Sequence, residues 1–229
     1  MKGGATGSVL APLVIGAAAI GCSHVEPPSC PCADPNWQAR WGWTGLFDGK
    51  TLDGWEGDPD LWGVENGMLV GRSPGIQKNA FLCTTRTFQD FELRLSFRLV
   101  AGQGNSGIQF RSRKLRDHVS GYQADIGEGV WGCLYDAGRR NTLLAKAPAA
   151  PENTLDSDRW HEYVIRCEGP RIMLQLDGRK TADYVESEPD IEQDGIIALR
   201  LHAGPPMEIH FRDIRIRVNK TNQSRFPSP

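Results

Sequence analysis

The chain reads as an all-β protein, a sandwich or barrel of antiparallel strands. Short apolar runs alternating with period two recur along it, and Asn-Gly, Asp-Gly and Pro turns separate them at close spacing. No helical periodicity persists for long. With 26 Gly and 15 Pro in 229 residues, the composition suits a chain full of turns. Hydrophobic content of 39% and charged content of 24% are globular values, and the length is ordinary for a single all-β domain.

The elements follow in order. Residues 1–22 read as a signal peptide, with Lys2 before an apolar run from Val9 to Ile20. That run is shorter than the roughly 20 residues a membrane span needs. It ends in Ala19-Ile20-Gly21-Cys22, similar to a bacterial lipobox in which Cys22 is lipidated; a plain secretory signal cleaved nearby is the alternative. Residues 23–43 read as a linker, stiffened by Pro27, Pro28, Pro31 and Pro35. Export permits disulfides, and with Cys22 lipidated an odd number of cysteines remains. Cys83, Cys133 and Cys167 stand in apolar strand contexts and are expected in the core.

Residues 44–218 form the expected folded domain, and 219–229 a tail. Trp62 to Gly71 is a hairpin turning at Asn66-Gly67. A short strand follows at Phe81–Thr84. Phe91, Leu93, Leu95, Phe97 and Leu99 alternate strictly and mark a half-buried strand. Trp160–Cys167 pairs with Arg171–Leu176, Asp177-Gly178 turns the chain, and Arg179–Val185 continues the meander. Ile196–Ala203 and Glu208–Val218 are the last strands, with Arg212, Arg215 and Arg217 expected in solvent. Asn141–Ala150 is the best candidate for a short helix.

Gly104 to Asp136 carries the functional signal. Gln109, Arg111 and Arg113 alternate with Ile108, Phe110 and Ser112, and Gln123 and Asp125 alternate with Tyr122, Ala124 and Ile126. One face of each strand is therefore apolar and the other lined with amides, guanidinium groups and a carboxylate. Those groups offer directional donors and acceptors that suit a hydroxyl-rich ligand. The net charge of −2 gives no reason to expect nucleic acid or an anionic membrane surface as partner. Membrane association is expected only through the lipid anchor.

Gly45-Leu-Phe-Asp-Gly-Lys-Thr-Leu-Asp-Gly-Trp55, Trp62-Gly-Val-Glu-Asn-Gly-Met-Leu, Phe88-Gln-Asp-Phe-Glu-Leu-Arg, Gly104-Asn-Ser-Gly-Ile-Gln-Phe-Arg111, Gly121-Tyr-Gln-Ala-Asp-Ile-Gly127, Trp160-His-Glu-Tyr and Phe211-Arg-Asp-Ile-Arg-Ile occur in this order. Together they resemble the 3-keto-disaccharide hydrolase domains over about Thr44 to Val218. The resemblance implies a concanavalin-like jelly roll of two antiparallel sheets, one concave, with the polar stripes lining the concave groove. Many members carry Tyr-Glu-x-Gln where this chain has Tyr122-Gln123-Ala124-Asp125. The carboxylate stands two residues along and stays on the same face. Gly127 to Arg140 resembles an extension of an exported bacterial subgroup, expected as a loop and strand at the groove edge.

The activity this implies is cleavage of 3-keto-glycosides. It needs a base for the C2 proton, a cation or donor at the ketone oxygen, and an acid for the leaving group. Asp125 is the expected base, Arg111 the cation and His202 the acid or base. Asn105, Gln109, Gln123, Tyr135, Arg140 and Arg200 are expected to bind substrate, with Trp131 stacking on a sugar ring. Other readings of these residues stay open: Arg111 and Asp125 as a plain ion pair, His202 in a structural hydrogen bond, Trp131 in the core, Arg140 in a solvated loop. No carboxylate pair suited to direct glycoside hydrolysis stands out; Glu128 has the opposite parity from Asp125. Asp125 with His202 lacks a third metal ligand, so neither metal nor cofactor is expected. A carbohydrate-binding module and a cell-surface scaffold are the rival functions, and the sequence leaves the oligomeric state open.

Overall fold

A computed structural model describes residues 42–102, 104–148 and 158–219, with Met1 and Gly3 besides. The expected signal peptide with Cys22, and the linker up to residue 41, lie outside the described residues, as does the tail beyond Asn219. Among the described residues fifteen strands follow one another: β1 (Trp43–Gly45), β2 (Trp55–Glu56), β3 (Trp62–Glu65), β4 (Met68–Ser73), β5 (Ala80–Thr84), β6 (Phe91–Leu99), β7 (Asn105–Lys114), β8 (Val119–Gly127), β9 (Leu134–Ala137), β10 (Thr142–Ala145), β11 (His161–Glu168), β12 (Arg171–Leu176), β13 (Arg179–Val185), β14 (Ile196–Leu201) and β15 (Met207–Val218). They make two antiparallel sheets. The eight-stranded sheet runs β13-β12-β11-β6-β15-β4-β3, with β1 on β15; the seven-stranded sheet runs β10-β9-β8-β7-β14-β5-β2. This is a sandwich, one of the two architectures that the alternation and turn spacing imply, and it is the jelly roll that the family resemblance implies.

The core lies between the sheets. Phe91, Leu93, Leu95, Phe97 and Leu99 of β6 are at most 1% exposed, as strict alternation requires. Opposite them stand Ile108 and Phe110 of β7, Tyr122, Ala124 and Ile126 of β8, and Ile197, Leu199 and Leu201 of β14. Asn66 and Asp177 take left-handed backbone (φ 50° each) and precede Gly67 and Gly178, which makes the predicted tight hairpins. Cys83, Cys133 and Cys167 are free and buried. Arg212 is exposed, while Arg215 and Arg217 are only partly so, because both approach Trp43 and Arg217 also bonds Glu92.

Two expectations need correction. The described part of the expected helix Asn141–Ala150 holds a strand instead: Thr142 and Leu143 of β10 pair with Asp136 and Tyr135 of β9. The second concerns β7. Its pairing with β8 slips between Phe110 and Arg113, and with β14 between Ile196 and Ala198. Arg111 sits in this bulge with φ 46°. Gly195 permits it, since a Cβ there would lie 2.4 Å from the Ser112 nitrogen. An inserted residue reverses which face a side chain takes, so Arg111 leaves the stripe that Gln109 begins.

Candidate functional site

Opposite the core, the seven-stranded sheet has an outer face whose side chains can be read from register. One row crosses it as Phe81 (β5), Arg200 (β14), Gly107 (β7) and Asp125 (β8). The next runs Cys83, Ala198, Gln109, Gln123 and Tyr135. These rows floor a cavity of about 530 Å³ that Asn105 and His202 also line. That volume falls in the range of small-molecule sites. A larger cavity, about 670 Å³, lies at the β3–β4 edge. None of the predicted residues is there, and its Arg72 is engaged by Glu65 and Glu208.

Asp125 is 6% exposed. Burial pushes its carboxyl up to about 6, against the opposing pull of the Gln123 hydrogen bond and the Arg200 charge. Gln123 Nε2 donates to Asp125 Oδ1 at 2.5 Å. The Asp125 carbonyl accepts from Tyr163 Oη at 2.7 Å, which ties the strand to the eight-stranded sheet behind it. The carboxyl is thus held from beside by Gln123, the backbone that carries it is tied from behind by Tyr163, and Asp125 lines the cavity.

Gly107 explains why Arg200 and Asp125 share a hollow. Their strands are two steps apart, about 10 Å, and Gly107 on the strand between them carries no side chain of its own, so that the Gln123 side chain lies over it. A Cβ on Gly107 would lie 2.8 Å from Gln123 Cγ and Cδ, so the glycine also makes room for the amide that holds Asp125. Arg200 is 8% exposed. Its Nη2 donates to Asn105 Oδ1 and, at 3.3 Å, to the Ser106 carbonyl. Burial lowers its pKa while the nearby Asp125 opposes the shift. Arg200 Nε, Gln109 Oε1 and Gln123 Oε1 are buried at the cavity and have no hydrogen-bond partner within the protein. Buried polar atoms without partners are costly. All three residues line the same cavity.

The other predicted residues divide. Gln109 donates from Nε2 to the Val119 carbonyl at 3.3 Å, which fixes its amide at the cavity floor. Tyr135 lines the end nearest Asp125. His202 is exposed at the rim; its Nδ1 donates to the Ala203 carbonyl, which leaves Nε2 as the atom to exchange protons. Glu128 is exposed and outside the cavity. No cluster of potential metal ligands occurs among the described residues.

Three expected site residues are elsewhere. Arg111 is not in the groove. Turned inward by the bulge, it bonds Asp90 Oδ1 at 2.9 Å, the Gln89 carbonyl at 2.9 Å and the Gly169 carbonyl at 2.7 Å. It is a buried clamp, and Arg200 is the cation beside Asp125. Trp131 is no sugar platform at the groove: it stacks on Phe97 at 6.0 Å and lies 5.7 Å from His161. Arg140 is held away from the cavity by Asp136, Glu186 and Glu188. Sequence reasoning missed Phe81, Asn79, His118 and Asn141, which line the cavity. Parity would have found Phe81, which shares a face with Cys83; the others come from turns and strand ends, where period two says nothing.

Comparison with known proteins agrees with this fold. The crystal structures of two candidate glycosyl hydrolases from Parabacteroides distasonis share the fold. One has a TM-score of 0.63 at 16% identity over 80% of this chain and 96% of that one. The other has 0.59 at 23% identity over 77% and 99%. The carbohydrate-binding module CBM66 from Bacillus subtilis is similar at TM-score 0.55 and 19% identity over 76% and 94%. No curated protein matches the sequence significantly. Residues 42–217 match the 3-keto-alpha-glucoside-1,2-lyase-like domain, so the chain belongs to that family.

Proposed function

We propose that this protein cleaves 3-keto-glycosides at the outer face of the seven-stranded sheet, with Asp125 as base, Arg200 as the cation at the ketone oxygen and His202 as acid. The observation that carries the reading is a buried carboxyl and a buried guanidinium sharing one hollow across Gly107. A ketone at C3 acidifies the C2 hydrogen. Asp125 takes that proton, and the electron pair moves into an enolate whose O3 charge faces Arg200. Collapse of the enolate restores the C3 carbonyl, forms C1=C2 and breaks the C1–O bond, while His202 Nε2 gives the departing oxygen a proton. Water then adds its hydroxyl to C1 and a proton to C2, so the net change is hydrolysis. A preorganised cation where negative charge develops is a large source of rate in such chemistry.

Release of monosaccharide from a 3-keto-disaccharide by the purified protein tests the proposal. No turnover across a panel of keto-glycosides, with tight binding of unmodified oligosaccharide, would make the groove a binding module, the reading favoured by its similarity to CBM66. Export with lipidation of Cys22 belongs to the same proposal, and mass spectrometry of the envelope-bound protein checks it: an unacylated Cys22 removes the anchor.

A further inference from the structure

We propose that Phe81 is the platform of a second ring subsite, where the group leaving C1 stacks, so that the site favours a disaccharide over a glycoside with a small alkyl leaving group. This rests on the 3-keto-glycoside reading of the same cavity. Phe81 stands directly opposite Arg200 in the row Asp125, Gly107, Arg200, Phe81. It faces away from the sandwich core, is partly exposed and lines the cavity. It packs against a small apolar group of Cys83, Val119 and Ala198 on the same outer face, which fixes the ring. Among the described residues it makes no ring–ring or cation contact, whereas Trp131 is occupied by Phe97 and His161.

Position supports the assignment. His202 and Asn79 share the Phe81 end of the cavity, where Asn79 Oδ1 accepts from the Ala203 amide at 2.8 Å. The proton donor for the leaving oxygen therefore follows Arg200 at the end of β14, next to the strand whose Phe81 forms the apolar wall on the far side of Arg200 from Asp125. The half of the cavity around Gly107 is walled by Asp125, Gln123, Gln109 and Arg200 and suits the keto ring. A second pyranose presents one face of C–H bonds, which an aromatic ring covers well while the hydroxyls point sideways.

The experiment compares wild type, Phe81→Ala and Phe81→Leu on a 3-keto-disaccharide and on the corresponding methyl 3-keto-glycoside. Leucine keeps the apolar volume against Cys83 and Val119, so a fold defect in the alanine variant does not decide the matter. Wild type is expected to prefer the disaccharide roughly tenfold in kcat/KM, with the preference lost in both folded variants mainly through KM. A preference retained in Phe81→Leu, or absent from wild type, overturns the proposal. Should wild type turn over neither substrate, the catalytic reading fails by itself. Calorimetric titration with unmodified disaccharide and methyl glycoside then decides on Phe81: selective loss of disaccharide affinity in Phe81→Leu supports the subsite, and equal affinities overturn it.

Discussion

Asp125 and Arg200 face one hollow from β8 and β14, with Gly107 of the intervening β7 between them and no side chain on it. A buried carboxyl and a buried guanidinium thus line one cavity from separate strands, the placement that the proposed base and cation need. The same glycine makes room for Gln123, whose amide holds the Asp125 carboxyl at 2.5 Å. One missing Cβ therefore shapes the hollow and orients the base.

The Asp125 carboxyl is raised to about 6 by burial, from an ordinary value of 3.8. A raised carboxyl binds its proton more tightly folded than unfolded. Its contribution to stability is then greatest in acid and falls as pH rises from about 4 to about 6. Asp125→Asn should lower kcat by roughly 10² to 10⁴, yet at pH 8 it should be more stable than wild type, by about 2–3 kcal/mol at most. Thermal unfolding at pH 8 and pH 4 checks the sign: the gain belongs to pH 8.

Activity should rise with pH through about 6 as Asp125 ionises. The Gln123 hydrogen bond pulls that value down, so losing it moves the acid limb upward. Gly107→Ala is expected to do so, because the new methyl would stand 2.8 Å from the Gln123 side chain. A pH–rate profile of the variant, with its limb at higher pH than wild type, is the outcome expected.

Arg200→Gln should reduce kcat by about 10² to 10³ with a smaller change in KM, since its charge is needed most when the enolate forms. Arg200→Lys should recover only part of that rate. The guanidinium is held by Asn105 and the Ser106 carbonyl, and an ammonium lacks the planar fork to meet both and a ligand.

Arg111→Met separates clamp from catalyst. The variant removes the ion pair with Asp90 and both carbonyl contacts and should lose about 3–5 kcal/mol of stability by chemical denaturation. Below its unfolding transition its kcat should stay within a few-fold of wild type, because Arg111 reaches Asp90 and the Gln89 and Gly169 carbonyls, not the cavity.

The alternation of Gln109, Gln123, Asp125 and Arg200 with core residues was readable from period two alone, and their outward faces follow it. Arg111 was not, because one left-handed residue in a bulge reverses a side chain without leaving a mark in the hydrophobic pattern. Trp131 and Arg140 lie in a segment rich in turns, where no periodicity indicates direction; tertiary partners Phe97, His161, Asp136 and Glu186 decide them. Gly107 leaves no mark in the alternation, because it has no side chain to be apolar or polar. Its role depends on which residues flank it across strands, and register supplies that.

Turnover of a 3-keto-disaccharide in D₂O, with mass and proton analysis of the released 3-keto-sugar, bears most directly on Asp125 as the C2 base. One deuterium is expected at C2 of the product, gained in step with turnover and far above exchange in an enzyme-free control, with no comparable turnover by Asp125→Asn. Cleavage that leaves the C2 hydrogen in place would contradict that role and point to direct displacement at C1.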